Sequence, residues 1–386
     1  MRIAILCNCL EPGRDGVGDS VRRLRAELQK MGNTVLLAAL NDSFIDSVIE
    51  DGCLRLPANM PWSERSKNLK AHLDLFQPDF IRLDFVAFGM NKKGIVSGLV
   101  GALKPLAKQA PWVIYFHEIW LGFKPLLPIR HKLLGAIQKF FIKRLVESIN
   151  PLRTWTSNVV YQRALAKEGI KADLLPLVSP IPITKLVLPI QELPINGVVE
   201  ESVEAVKTET GRQRNCILAP FQVPENWEPS RLLSFLKAIQ QADDPKPLVI
   251  AVGGQGAGAH TWQQMAEQYS DLAQWITLGR QPESVISSLA CHCEYGLALS
   301  PMSLLGKSGS CAMLVEHGLK VIACHDSWET VERFSIDELN PYGESVRYID
   351  ANDGESFVSA LGQWRVPEDS DLWSQRVVER FIQQLN

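Results

Sequence analysis

Residues 1–40, MRIAILCNCLEPGRDGVGDSVRRLRAELQKMGNTVLLAAL, spell out a strand, a glycine-containing loop, a helix and a second strand in that order. Residues 2–7 form an apolar run with two isoleucines, the composition of a strand buried on both faces. From about Asp19 to Met31 the apolar positions Val21, Leu24 and Leu28 return every three to four residues, so they share one helical face, and Gly32 closes the helix. Residues 34–40 are again largely apolar. Two buried strands joined through one helix run parallel, so the opening predicts the repeating unit of a doubly wound α/β sheet.

The same grammar continues outward. Apolar runs at 80–85 and 112–116 predict further strands, and helical periodicity predicts helices at 92–109 and 130–149, giving a Rossmann-like domain over residues 1–180. Pro180, Pro182, Pro189 and Pro194, followed by a polar stretch with Glu200, Glu201, Glu204 and Glu209, mark a linker over 181–214. A second series of strands, at 216–221, 248–252, 275–278, 295–299 and 320–323, predicts a second Rossmann-like domain over 215–365. Residues 366–386 hold a closing helix, with Val377, Val378, Phe381 and Ile382 on one face, expected to pack back on the N-terminal domain. Two cores suit 386 residues, more than one core usually serves. Open parallel sheets bind ligands beyond the carboxyl ends of their strands, so the expected site is a cleft between the two domains.

Composition narrows the classes of partner. With 46% hydrophobic and 22% charged residues and a formal net charge of -3, the chain has no global attraction for nucleic acid or anionic lipid, and such a partner would need a local patch. The N-terminal apolar run is too short for a signal sequence, and the greasy stretch 133–149 is broken by Gln138, Lys139, Lys143, Arg144 and Glu147; a cytoplasmic protein is expected. The eight cysteines are scattered. Cys291-His292-Cys293 lacks the second ligand pair of a structural zinc site, so reduced thiols and no metal are expected.

Four features carry chemistry. In residues 11–19, EPGRDGVGD, Gly16 and Gly18 allow close backbone approach, and the following helix start offers N–H groups to an anion. A dinucleotide fingerprint is disfavoured because its third glycine position is Val21; a loop whose glycines merely serve a turn stays open. Residues 300–310, SPMSLLGKSGS, end in Gly306-Lys307-Ser308 like a Walker A loop, but its first glycine is Pro301, so the segment reads as a phosphate cradle built from the amides of Ser308, Gly309 and Ser310 with the Lys307 ammonium. A serine-capped helix start beside an incidental lysine is its plainer alternative. His117 and Glu118 follow a strand, at the edge where ligand groups collect, and equally fit a structural pair. Residues 124–150 carry Lys124, Arg130, Lys132, Lys139, Lys143 and Arg144 against Glu147, interleaved with Leu133, Leu134, Ile137, Phe140 and Phe141: either a solvated basic face or a peripheral membrane contact.

These residues resemble the family 4 glycosyltransferases along nearly the whole chain. MRIAIL, DGVGDSVRRLRAEL and MGNTV are similar to that family's opening strand, glycine loop and helix; His117-Glu118-Ile119-Trp120 resembles its cleft histidine segment; and ITLGR at 276–280, Pro282-Glu283, Ser300-Pro301 and EHGLKVI at 316–322 resemble its nucleotide-binding half. The resemblance implies a GT-B fold of two Rossmann-like domains facing across a cleft, and a retaining hexosyltransferase-type enzyme that moves a sugar from a UDP or GDP sugar to a hydroxyl acceptor. It needs no cofactor and no Asp-x-Asp metal clamp. Donor-binding residues are then Gly16, Gly18, Arg280, Lys307, Ser308, Gly309, Ser310 and Glu316. His117 and Lys307 are catalytic, and Asp19 and Glu118 lie on the acceptor side. The family's paired glutamates fall on Leu305 and Met313, and its basic pair on Gln222 and Asn226. Lys307 is expected to replace the basic pair, and Glu316, a turn after Met313, to reach the ribose. These departures leave a second class open, a non-catalytic GT-B protein that binds a nucleotide or serves a partner enzyme.

Overall fold

The computed structural model describes residues 1–122, 127–195, 213–220, 222–224, 227–240, 246–254, 256–324, 332–349, 361 and 363–385. The chain divides into two compact units: Met1–Pro180, Glu329–Arg333 and Ser374–Asn386 form the first, and Ile181–Trp328 with Phe334–Trp373 form the second.

The first unit is built on seven parallel strands: β1 (Arg2–Cys7), β2 (Thr34–Asp42), β3 (Leu54–Pro57), β4 (Phe80–Phe85), β5 (Trp112–Phe116), β6 (Arg153–Thr156) and β7 (Asp173–Leu174). They lie in the order β3-β2-β1-β4-β5-β6-β7. The central strands β1, β4 and β5 are buried almost throughout, as their apolar runs require. Helices α1 (Gly16–Lys30), α2 (Trp62–Phe76), α3 (Ala87–Met90), α4 (Ser97–Leu103), α5 (Ile129–Ile149) and α6 (Val159–Lys167) supply the connections. The helix expected at 92–109 is only α4, extended by a 3-10 turn at Lys104–Leu106. Gly94 at φ 66° breaks the backbone before it, and Pro105 lies in the 3-10 turn after it.

In the second unit the strands β8 (Gln213–Pro220), β9 (Leu248–Val252), β10 (Gln274–Thr277), β11 (Cys293–Ala298), β12 (Lys320–Ala323) and β13 (Val346–Tyr348) pair in parallel in the order β10-β9-β8-β11-β12-β13. Helices α7 (Ser230–Gln240), α8 (Ala259–Gln268), α9 (Glu283–His292), α10 (Gly309–Glu316) and α11 (Ile336–Leu339) belong to it. Its core gathers Leu232, Phe235, Val249, Trp262, Leu297 and Trp364. Residues 181–195 run against α9, with the amides of Thr184 and Leu188 donating to Ser287 and Ser288 hydroxyls at 2.8 and 3.0 Å. The strand expected from 216 starts at Gln213, inside the stretch read as linker; 196–212 lie outside the described residues. Both sheets are Rossmann-like, as the alternating pattern predicts.

The last helix, α12 (Trp373–Leu385), closes the first unit. Its buried face is Ser374, Val377, Val378, Phe381 and Leu385. Phe381 stands edge-on to Trp155 of β6, ring centroids 5.4 Å apart, and the Trp155 indole donates to Gln384 at 2.6 Å.

Candidate functional site

In the first sheet the chain moves outward from β1 to β3 and then starts again at β4 on the other side, so the topological switch lies between the carboxyl ends of β1 and β4. The loop leaving β1 is folded on itself there. Asp15 caps α1, its Oδ1 accepting the Val17 and Gly18 amides at 3.0 and 2.8 Å while its Oδ2 accepts from the Asn8 amide at 2.8 Å. This corrects the expectation of a vacant anion position at the start of α1: two of its first N–H groups serve a carboxylate of the chain itself. Gly18 is a packing residue, since a Cβ there would stand 2.4 Å from the Cys9 carbonyl oxygen, whereas Gly16 has open space. Gly18→Ala is therefore expected to lose about 1–3 kcal/mol in chemical denaturation, and Gly16→Ala to stay within about 0.5 kcal/mol of the parent. Asp19 accepts the Gly13 amide at 3.0 Å and pairs with Arg22; burial raises its carboxyl above the ordinary value. Asn8 Oδ1, buried beside Gly89, has no hydrogen-bond partner among the described residues.

His117 directly follows β5 and is 4% exposed. Its Nε2 donates to Asp84 Oδ1 at 2.8 Å, and Arg82 grips the same carboxylate with Nε and Nη2 at 2.7 and 2.8 Å. Arg82 and Asp84 alternate along β4 and so share one face. Burial works against an ionised Asp84, yet the Arg82 charge and the hydrogen bonds from His117 and Arg82 outweigh it and hold the carboxyl at about 2. This fixes the His117 ring and leaves Nδ1 without a hydrogen-bond partner among the described residues. Glu118 is half-buried, its amide near the Phe85 carbonyl that also receives the His117 amide. The buried charge pair was visible as Arg-x-Asp inside the apolar run FIRLDF, a signal the sequence reading passed over.

In the second sheet the switch falls between β8 and β11. After β11, Ser300 and Pro301 lead into a 3-10 turn, Met302–Lys307, whose residues through Gly306 are buried. Ser308 then caps α10, its hydroxyl accepting the Cys311 amide at 3.2 Å and joining the Ser300 and Ser310 hydroxyls at 3.1 and 3.0 Å. The Ser308 amide itself donates to the Leu305 carbonyl at 3.0 Å, so the cradle expected from three amides has two, those of Gly309 and Ser310. Lys307, half-buried, ends the turn immediately before the cap. Glu316, the last residue of α10, is 2% exposed. Leu305 and Met313 are core residues with no exposure.

Sequence reading missed the loop after β9. Gly253, Gly254, Gly256 and Gly258 lie within six residues there, a strong glycine signal. Gly253 and Gly256 have φ of 108° and 64°, and the Gly253 amide donates to Gly279 at 2.6 Å. A Cβ at Gly256 would meet Gln222, and one at Gly254 would meet Arg280 Nε at 3.8 Å. The loop thus lies between Gln222, two residues past the end of β8, and exposed Arg280, beyond β10. Asn226 lies outside the described residues. One Asp-x-Asp triplet does occur, Asp369-Ser370-Asp371, in and before the 3-10 turn Ser370–Leu372; no cluster of three metal-ligating side chains exists among the described residues.

No family model matches the chain, and no curated protein matches it. Solved structures do. Sucrose-phosphate synthase from Thermosynechococcus elongatus superposes with a TM-score of 0.57 at 13% identity, covering 100% of this chain and 98% of that one. Anabaena HepE in complex with UDP and glucose gives 0.57 at 14% identity over 100% and 99%. UDP-GlcNAc 2-epimerase from Neisseria meningitidis bound to UDP-GlcNAc gives 0.51 at 13% identity over 100% and 99%. The fold is thus that of the GT-B proteins, two Rossmann-like domains on parallel sheets.

Proposed function

We propose that the protein is a glycosyltransferase that moves a sugar from UDP- or GDP-sugar to a hydroxyl acceptor with retention of configuration. The observation that carries this reading is the switch point of the second sheet, where the Gly309 and Ser310 amides, three linked serine hydroxyls and Lys307 gather at one helix start. A leaving diphosphate develops negative charge, and preorganised N–H groups with a nearby ammonium stabilise it. Arg280 and the glycine loop after β9 bind the nucleotide, and Glu316 serves the ribose. His117, oriented by Asp84, offers Nδ1 to the donor sugar, with Gly16 contributing backbone; Asp19 and Glu118 lie toward the acceptor. No dedicated base is required of a front-face mechanism. Nucleotide ligands in the similar UDP-bound structures support the choice of donor class.

A second reading is favoured by Leu305 and Met313. Both are embedded in the core, so no carboxylate stands where the resembling family carries its pair. A nucleotide-binding subunit without turnover would look the same. Titration with UDP, GDP, ADP and their sugar conjugates, followed by thermal unfolding, distinguishes these readings. The expected result is stabilisation by one nucleotide family, about 2.7 kcal/mol at 100 times the dissociation constant, with slow hydrolysis of its sugar conjugate. Lys307→Ala is expected to lower turnover by about 10²–10³. Binding without hydrolysis selects the subunit; no binding by the folded protein ends both readings.

A further inference from the structure

We infer that α5 docks the first unit onto an anionic lipid surface. The helix buries Gly135, Gln138, Ile142, Leu145 and Ile149 against its own unit. On its outer side Ile129, Leu133, Ile137 and Phe140 are 84, 63, 37 and 58% exposed. Spacings of four, four and three residues align them in one stripe about 16 Å long. The water-facing side of a helix ordinarily carries polar residues, so four large apolar side chains in a row need a partner.

The surroundings specify which. Arg130, Lys132 and Arg144 are exposed beside the stripe, and Arg144 lies 3.5 Å from Glu147. Lys139 and Lys143 share Glu168 at 2.7 and 3.5 Å. Lys124 falls outside the described residues. An apolar stripe fringed by cations matches the interface of an anionic bilayer, acyl chains below and phosphate groups beside. A second copy of the same face would set cation against cation. The chain as a whole is slightly acidic, so the attraction belongs to this face alone. The docking does not depend on the donor chemistry; where both hold, the acceptor is one presented at a membrane.

Flotation with vesicles of phosphatidylcholine containing about 30% phosphatidylglycerol tests it. Binding is expected to these vesicles and not to pure phosphatidylcholine. Leu133→Ser with Phe140→Ser, and separately Arg130→Glu with Lys132→Glu, should each weaken binding at least about tenfold. Both double variants should keep the parental melting temperature and nucleotide response, because the altered side chains face water. No binding by the folded protein, or equal binding by the serine variant, overturns the inference. So does a dimer in sedimentation that the serine variant dissolves, which would make the stripe a contact between copies.

Discussion

Asp84→Ala is expected to lower stability by about 3–5 kcal/mol, the cost of stranding a buried charge. The carboxylate has no exposure and accepts from Arg82 twice and His117 once. Removing it leaves the Arg82 guanidinium between the rings of Tyr115 and Phe381, 4.7 and 4.9 Å from their centroids, with its countercharge gone. Asp84→Asn, which retains shape and one acceptor, should lose less. Acid unfolding provides an independent check. The folded carboxyl sits at about 2, below its ordinary value of about 4, so its contribution is present above pH ~4 and disappears as pH falls through about 2. The asparagine variant should show a shallower loss in that window. Asp42, depressed by its partner Arg55 despite burial, keeps the slope from vanishing.

Phe381→Ala should cost about as much, 3–5 kcal/mol, by a different route. The ring is wholly buried, stands edge-on to Trp155 and lies under Arg82. Its loss leaves a cavity between α12 and the sheet that rigid strand residues cannot fill. Equilibrium denaturation monitored by tryptophan fluorescence would report it directly, since Trp155 is the neighbouring ring. If α12 merely rests on the surface, the midpoint will not move.

How far the sequence was readable follows from where each segment lies. β5 and β9 are apolar on both faces because both faces are covered, and their spans are plain in the letters. β3, β6 and β13 are three or four residues long and carry an arginine each, so no periodicity develops. α2 escaped notice for a related reason: its buried face is Arg65, Leu69 and Leu73, and the arginine is admitted only because it donates to the Leu40 carbonyl and stacks on Trp62. At the candidate site, Ser308 and Lys307 could be placed by local pattern. The Asp84 link to His117 could not, since it spans 33 residues and two strands. Caps defeat intuition in the other direction, as Asp15 shows by filling the helix start that its neighbouring glycines advertise.

The position of α12 in the chain has a consequence for biosynthesis. It completes the first unit, yet it is translated after the whole of the second. At about 5–20 residues per second, the ribosome leaves the first sheet waiting roughly 10–40 s with the face around Trp155 and Arg82 uncovered. During that interval the emerging domain presents the kind of apolar surface that chaperones bind. A fragment cut after the first domain would remain in that condition permanently, so α12 supplied as a separate peptide is the means of making it whole.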